Sequence, residues 1–279
     1  MIGVYDSGFG GLTVLRALRA THPDRDFFYL GDSGRAPYGG RDVHTILDFA
    51  EQCVERLFEE GCRLVIIACN TVACTALRHL QRRYAGPDSD RRVLGVTVPA
   101  AEIAVATSAG HIGVVGTSRT IASGTFALEI AKLGAHRVTQ RAAPLLAAIV
   151  EEGWEDTDIA RQAVARYLVG LEDVDTILLA CTHYPLLADA FRAATPARIL
   201  DPAPYLAERL VDWLARHPGF DEVGTGALRF ACTGDPAVFR AHGRRFLGHD
   251  VLDVAHIAEQ AGRLEHKAAF GTELGQVVR

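Results

Sequence analysis

Ile2-Gly3-Val4-Tyr5-Asp6-Ser7 opens the chain, and Ile112-Gly113-Val114-Val115-Gly116-Thr117-Ser118 repeats its pattern 110 residues later. Leu64-Val65-Ile66-Ile67-Ala68-Cys69-Asn70-Thr71 has its own echo in Ile177-Leu178-Leu179-Ala180-Cys181-Thr182-His183, where the cysteines lie 112 residues apart. Each stretch is a short apolar run, the mark of a buried strand, followed at once by small polar residues. Two motifs repeated at nearly one offset read as a duplication. Further apolar runs at residues 27–30, 93–98 and 199–200 alternate with helical patterns at 13–20, 43–60, 74–84 and 159–168. Alternation of this kind predicts parallel sheets covered by helices. The fold class expected is therefore α/β, with two similar parallel-sheet lobes related by pseudo-duplication. Turn-forming clusters stand at residues 85–90 and 217–221.

Composition bounds the remaining choices. The chain has 279 residues, enough for two domains, with 49% hydrophobic and 23% charged residues, as in a globular protein. Its net charge of −5 gives no general grip on nucleic acid, which needs clustered positive charge. The longest apolar run, residues 142–150, contains Pro144 and falls well short of the about 20 residues of a membrane span. The first basic residue is Arg16, so the start lacks a signal-peptide pattern and the cytoplasm is the expected compartment.

There are six cysteines, with no CxxC pair and no zinc-ligand spacing. Reduced thiols are expected, and for Cys53, Cys62 and Cys232 the plain reading is a small buried hydrophobe. Cys69 and Cys181 differ because each directly follows a strand. Ligands of parallel α/β sheets sit beyond the carboxyl ends of strands, so two thiols at equivalent strand ends suggest one shared cleft. A free thiol has a pKa of about 8.5, and helix N-termini and nearby donors would lower it. Asp6 and His183 are candidate partners for proton handling, although His183 alone could be structural. The glycine-rich Asp6-Ser7-Gly8-Phe9-Gly10-Gly11 allows close backbone approach and an anion site at the next helix. It is not the GxGxxG dinucleotide pattern. Paired thiols without a cofactor motif suit proton removal from one face of a carbon acid and return from the other. Ser7, Asn70, Thr71 and Thr182 are the right types to hold carboxylates and an amine.

At these residues the chain resembles the glutamate racemases of the aspartate/glutamate racemase superfamily. The strings that carry the resemblance are residues 6–12, Tyr29-Leu30-Gly31-Asp32 with Pro37-Tyr38-Gly39, Ala68-Cys69-Asn70-Thr71, Gly116-Thr117 with Thr120 and Ser123, Cys181-Thr182-His183-Tyr184-Pro185-Leu186-Leu187, and Thr233-Gly234-Asp235-Pro236. The resemblance implies racemisation of glutamate with no cofactor and no metal, supplying D-glutamate for peptidoglycan. It implies that Cys69 takes the proton from D-glutamate with Asp6 assisting, and Cys181 from L-glutamate with His183 assisting. The resemblance also implies a further assistant from the Glu151–Glu152 pair, of which Glu151 is the candidate site residue. Asp6, Ser7, Tyr38, Gly39, Asn70, Thr71, Thr182 and His183 would bind substrate. Residues 1–97 would form the first lobe and 98–210 the second, with the active site between them and 211–279 returning to the first lobe. A homodimer is admitted. The pattern departs at Phe126, where the family often has Tyr, at Val96-Thr97-Val98-Pro99, and at the extra thiol Cys74. The rival readings are a racemase for another acidic amino acid, chiefly aspartate, and a non-catalytic amino-acid-binding protein.

Overall fold

The computed structural model describes residues 1–84, 86, 89–251, 253–260 and 263–266. Residues 85, 87 and 88 of the expected turn and the end of the 211–279 segment lie outside the described residues. The first half of the chain runs β1 (Ile2–Asp6), α1 (Leu12–Thr21), β2 (Phe27–Gly31), α2 (Val43–Glu59), β3 (Leu64–Ile67), α3 (Asn70–Tyr84), β4 (Arg92–Gly95) and α4 (Thr97–Thr107). The second half runs β5 (His111–Gly116), α5 (Ser118–Ala122), α6 (Thr125–Leu133), β6 (Arg137–Ala142), α7 (Leu145–Glu151), α8 (Asp158–Leu168), β7 (Thr176–Ala180), α9 (Ala188–Ala194), β8 (Arg198–Leu200) and α10 (Ala203–Arg216). β9 (Leu228–Cys232), α11 (Pro236–Leu247), β10 (Ala255–Gln260) and β11 (Arg263–His266) follow.

Two sheets result, one in each lobe. The first has the order β11-β10-β9-β2-β1-β3-β4, and the second β6-β5-β7-β8. Within them β2-β1-β3-β4 and β6-β5-β7-β8 are the same arrangement, so β3 and β7 hold equivalent places. All pairings are parallel except β10 with β11. The central strands β1, β2, β3 and β7 are buried along their whole length. That is the environment in which a parallel strand reads as an unbroken apolar run. One face of the second sheet, Ile112, Val114, Leu178 and Ala180, packs on Ala100, Ala101 and Ala104 of α4 and on Phe126 and Ile130 of α6. Phe126 therefore sits in an apolar cluster that has no use for a tyrosine hydroxyl. The other face and the first lobe share one continuous core.

Three expectations of local structure change. The strand expected over 93–98 ends at Gly95, and Thr97 begins α4. Pro99 then lies in the first turn, where a missing N–H costs nothing. The helix expected from Cys74 begins at Asn70, directly behind β3, because the Ala73 N–H donates to the Cys69 carbonyl at 2.8 Å. The strand β6 has no counterpart among the expected strands, because Arg-Val-Thr-Gln-Arg-Ala is half exposed at a sheet edge and carries no apolar run.

Candidate active site

The carboxyl ends of β1, β3, β5 and β7 bring Ser7, Cys69, Thr117 and Cys181 to one cleft of about 170 Å³ between the lobes. Tyr38, Gly39, Asn70, Thr71, Glu151, Thr182 and His183 line the same cleft. Asp6 does not line it. Its carboxylate is wholly buried, accepting from the Gly8 N–H at 2.9 Å and the Thr182 hydroxyl at 3.3 Å. The group within reach of the Cys69 sulfur is the Ser7 hydroxyl, at 3.4 Å.

The lobes meet closely behind the cleft. The Thr13 hydroxyl donates to the Thr182 carbonyl at 3.1 Å, across the lobes. A Cβ on Gly10 would lie 2.5 Å from His183 Nδ1 and would also strike the Thr182 hydroxyl. This is the close approach for which a glycine is required. On the other side the Thr71 and Thr117 hydroxyls pair at 2.9 Å, and Thr117 caps α5 through the Thr120 N–H. The Tyr38 hydroxyl is already engaged, by the Asp32 carboxylate and by Tyr5. Arg35 holds that same carboxylate with 2.8 and 2.9 Å bonds.

The two thiols have different surroundings. Burial, then the charge of Asp6, pushes the Cys69 thiol up to about 12, against smaller opposing bonds from Ser7 and the Val72 N–H. The lowering expected for this thiol at a helix N-terminus is thus outweighed by desolvation. Cys181 lies 3.9 Å from His183 Nδ1, and His183 Nε2 lies 3.0 Å from Glu151 Oε1. Burial alone would lower the imidazole, but the bonds to Cys181 and Glu151 and their charges bring it up to about 10. Burial alone would raise the Glu151 carboxyl, but the His183 bond and charge, with the charge of His242, hold it below its usual value. Asp6 is raised by burial, opposed by the charge of His183 and by its hydrogen bonds. The free cleft thus pairs a protonated thiol at Cys69 with an imidazolium beside Cys181. Both groups stand at the carboxyl ends of equivalent strands, β3 and β7, where one could give a proton and the other help to take one.

Asn70 starts α3, and its Oδ1 is buried with no hydrogen-bond partner. An orphaned buried acceptor is costly unless a ligand meets it. Sequence reasoning missed Thr117 as a site residue. The repeat could have found it, since Thr117 stands in the second half where Ser7 stands in the first. It also missed the α11 residues around His183. Phe246 presents an edge contact to the imidazole at 5.2 Å, and nothing in local sequence signals that. Among the described residues no group of three or more His, Cys, Asp or Glu side chains is placed to hold a metal ion.

Residues 13–210 match the family model described as Asp/Glu/Hydantoin racemase. A glutamate racemase of Roseobacter denitrificans is 39% identical over 265 residues, covering 88% of this chain and 96% of that protein. A glutamate racemase of Francisella tularensis, solved in complex with D-glutamate, superposes with a TM-score of 0.85 at 29% identity, over 92% of this chain and 97% of that one. A glutamate racemase isoform of Bacillus anthracis gives a TM-score of 0.86 at 34% identity, over 94% of this chain and 98% of that one. Since the likeness in sequence and in fold runs through both lobes, the chain belongs to the Asp/Glu/Hydantoin racemase family and, within it, to the glutamate racemases.

Proposed function

We propose that the protein interconverts L- and D-glutamate with two thiols, one removing the α-proton and the other delivering a proton to the opposite face, without a cofactor. The observation that carries this reading is the placement of Cys69 and Cys181 behind equivalent strands of two similar sheets, at one cleft. Cys181, its proton passed to His183 Nδ1, removes the α-proton of L-glutamate. Cys69, present as a thiol, delivers a proton to the opposite face. In the reverse direction Cys69 is the base, and the buried Asp6 beside it is its assistant. Glu151 stabilises the imidazolium at His183. Asn70 Oδ1 accepts from the α-ammonium group. The hydroxyls of Ser7 and Thr71, the cleft-lining Thr182 and His183, the N-terminus of α3 and the residues Tyr38 and Gly39 hold the carboxylates and the developing negative charge.

The same reading takes residues 1–97 and 98–210 as the working lobes and 211–279 as a segment returning to the first. It places the reaction in the cytoplasm, supplying D-glutamate for peptidoglycan, and admits a homodimer. Among the described residues no helix is long and apolar enough to cross a membrane.

The test is racemisation in deuterium oxide, followed by chiral chromatography and mass spectrometry with no added cofactor. With L-glutamate, the D product should carry one deuterium while substrate recovered early stays protonated. Equal deuterium in early substrate and product would mean that one base reaches both faces, which overturns the two-thiol assignment. Turnover of aspartate but not glutamate would transfer the mechanism to the rival substrate. No turnover of either would favour a binding protein.

A further inference from the structure

α11 belongs to the segment that returns to the first sheet, packing beside β9 and α1, whereas α7 belongs to the second lobe. Residues 242, 245 and 246 share one face of α11, at the i, i+3, i+4 spacing of helical neighbours. That face covers the Glu151–His183 pair. Phe246 meets His183 edge-on, and His242 stacks on Phe9 with ring centres 4.9 Å apart. Arg245 donates to the Val150 carbonyl at 2.6 Å and the Glu151 carbonyl at 3.4 Å. These carbonyls end α7, where the helix leaves acceptors free and a cation is favoured. The same guanidinium holds both oxygens of Glu155, at 2.6 and 2.5 Å. Glu155 follows α7 by four residues, past Gly153, whose φ is +78°.

The arrangement divides two carboxylates between two cations. Arg245 touches Glu151 only at the backbone, and its charge is met by Glu155. The Glu151 side chain is thereby left for His183. We propose that Arg245 and Glu155 are a positioning pair for the acid/base machinery: Arg245 fixes the end of α7, and Glu155 keeps Arg245 from drawing the Glu151 carboxylate off His183. The pair acts across the lobes, since Arg245 comes from α11 and everything it grips comes from the second lobe. This inference rests on the proposed role of His183 in proton transfer. The titratable groups facing Glu151 are His183 and His242, with the Arg245 guanidinium behind it; those facing His183 are Cys181, Glu151 and Asp6.

The experiment follows the His183 ring nitrogens by NMR in the full chain with labelled histidine, assigned with His183→Asn, alongside steady-state kinetics. In Glu155→Gln the unpaired Arg245 competes for Glu151. The His183 titration midpoint should then fall by about one pH unit or more. The rate constant kcat should fall about tenfold, part of the about 10²–10⁴-fold value of general acid–base catalysis, with KM little changed. Adding Arg245→Met removes the competitor and should recover part of both. Arg245→Lys keeps the charge but not the fork that spans two carbonyls and a carboxylate, and should fall between. A folded Glu155→Gln variant with an unchanged His183 midpoint overturns the proposal. If Glu155→Gln does not fold, an unchanged midpoint in Arg245→Lys does so. The titration needs no turnover, so a wild-type chain that fails to racemise glutamate would sink the functional reading while a shifted midpoint still supported the pair.

Discussion

At the residue scale the two thiols are bound by the symmetry of the reaction. L- and D-glutamate have equal free energy, so kcat/KM must be the same in both directions for every variant. Cys69→Ser and Cys181→Ser should each lower kcat/KM by about 10²–10⁴-fold in both directions, because each thiol serves once as acid and once as base. A loss confined to one cysteine, measured by circular dichroism from both enantiomers, would remove the other from the mechanism. Asp6→Asn makes a less obvious case. The charge of Asp6 is one of the causes that raise the Cys69 thiol. Removing that charge should lower the thiol's pKa, so Cys69 should alkylate faster at a given pH while racemisation slows. The midpoint of Cys69 modification against pH, read by peptide mapping, checks this; an unchanged or higher midpoint would show that burial alone sets it.

At the scale of elements, legibility followed burial. β1, β3, β5 and β7 could be read because a parallel strand covered on both faces is a plain apolar run. Their ends could be read because ligand-facing residues must follow such runs at once. β6 was hidden by its exposed edge. β9, Leu-Arg-Phe-Ala-Cys, lies between β10 and β2, and its pairing with β2 is to a strand about 200 residues earlier in the chain. Tyr38 could be nominated from its motif, yet its hydroxyl is spent on Asp32, a contact no periodicity encodes. Arg245 and Glu155 were illegible for the same reason, since 90 residues separate them. The glycine-rich loop between β1 and α1 is the element where the sequence signal and the geometry agree best. Gly10→Ala should cost about 1–3 kcal/mol by overpacking against Thr182 and His183, and should depress kcat with it. Gly219→Ala, with nothing within 4 Å of the added carbon, is the control and should stay within about 0.5 kcal/mol. Equal thermal midpoints for the two variants would mean that the loop yields freely.

At the scale of the whole molecule, the same burial that builds two packed lobes fixes how stability responds to pH. Burial brings the Cys62 and Cys69 thiols up to about 12 and the Cys232 thiol up to about 11. His183 stands at about 10, raised by Cys181 and Glu151 against the opposing effect of its burial. In the unfolded chain a thiol titrates near 8.5 and an imidazole near 6.5. Each of these groups therefore holds its proton in the folded protein at pH values where the unfolded chain has released it. Their stabilising contribution is complete below the unfolded pKa and is lost as pH rises through the folded one. For His183 that window runs from about 6.5 to about 10, and for the thiols it opens near 8.5. Each buried thiol should cost on the order of 1–2 kcal/mol by pH 10, so the thermal midpoint should decline gently from pH 7 and steeply above about 9. Cys62 lies outside the proposed chemistry and isolates the effect. Cys62→Ala should be less stable than the natural chain at pH 7, through the lost packing, and should close that gap by pH 10, where the natural chain bears the cost of a thiol it cannot ionise. Absorbance at 240 nm supplies the companion reading: the folded protein at pH 10 should show little thiolate, and unfolding it there should release the signal. Full thiolate absorbance in the folded state at that pH would show that water reaches these sulfurs, and the alkaline loss would then need another cause.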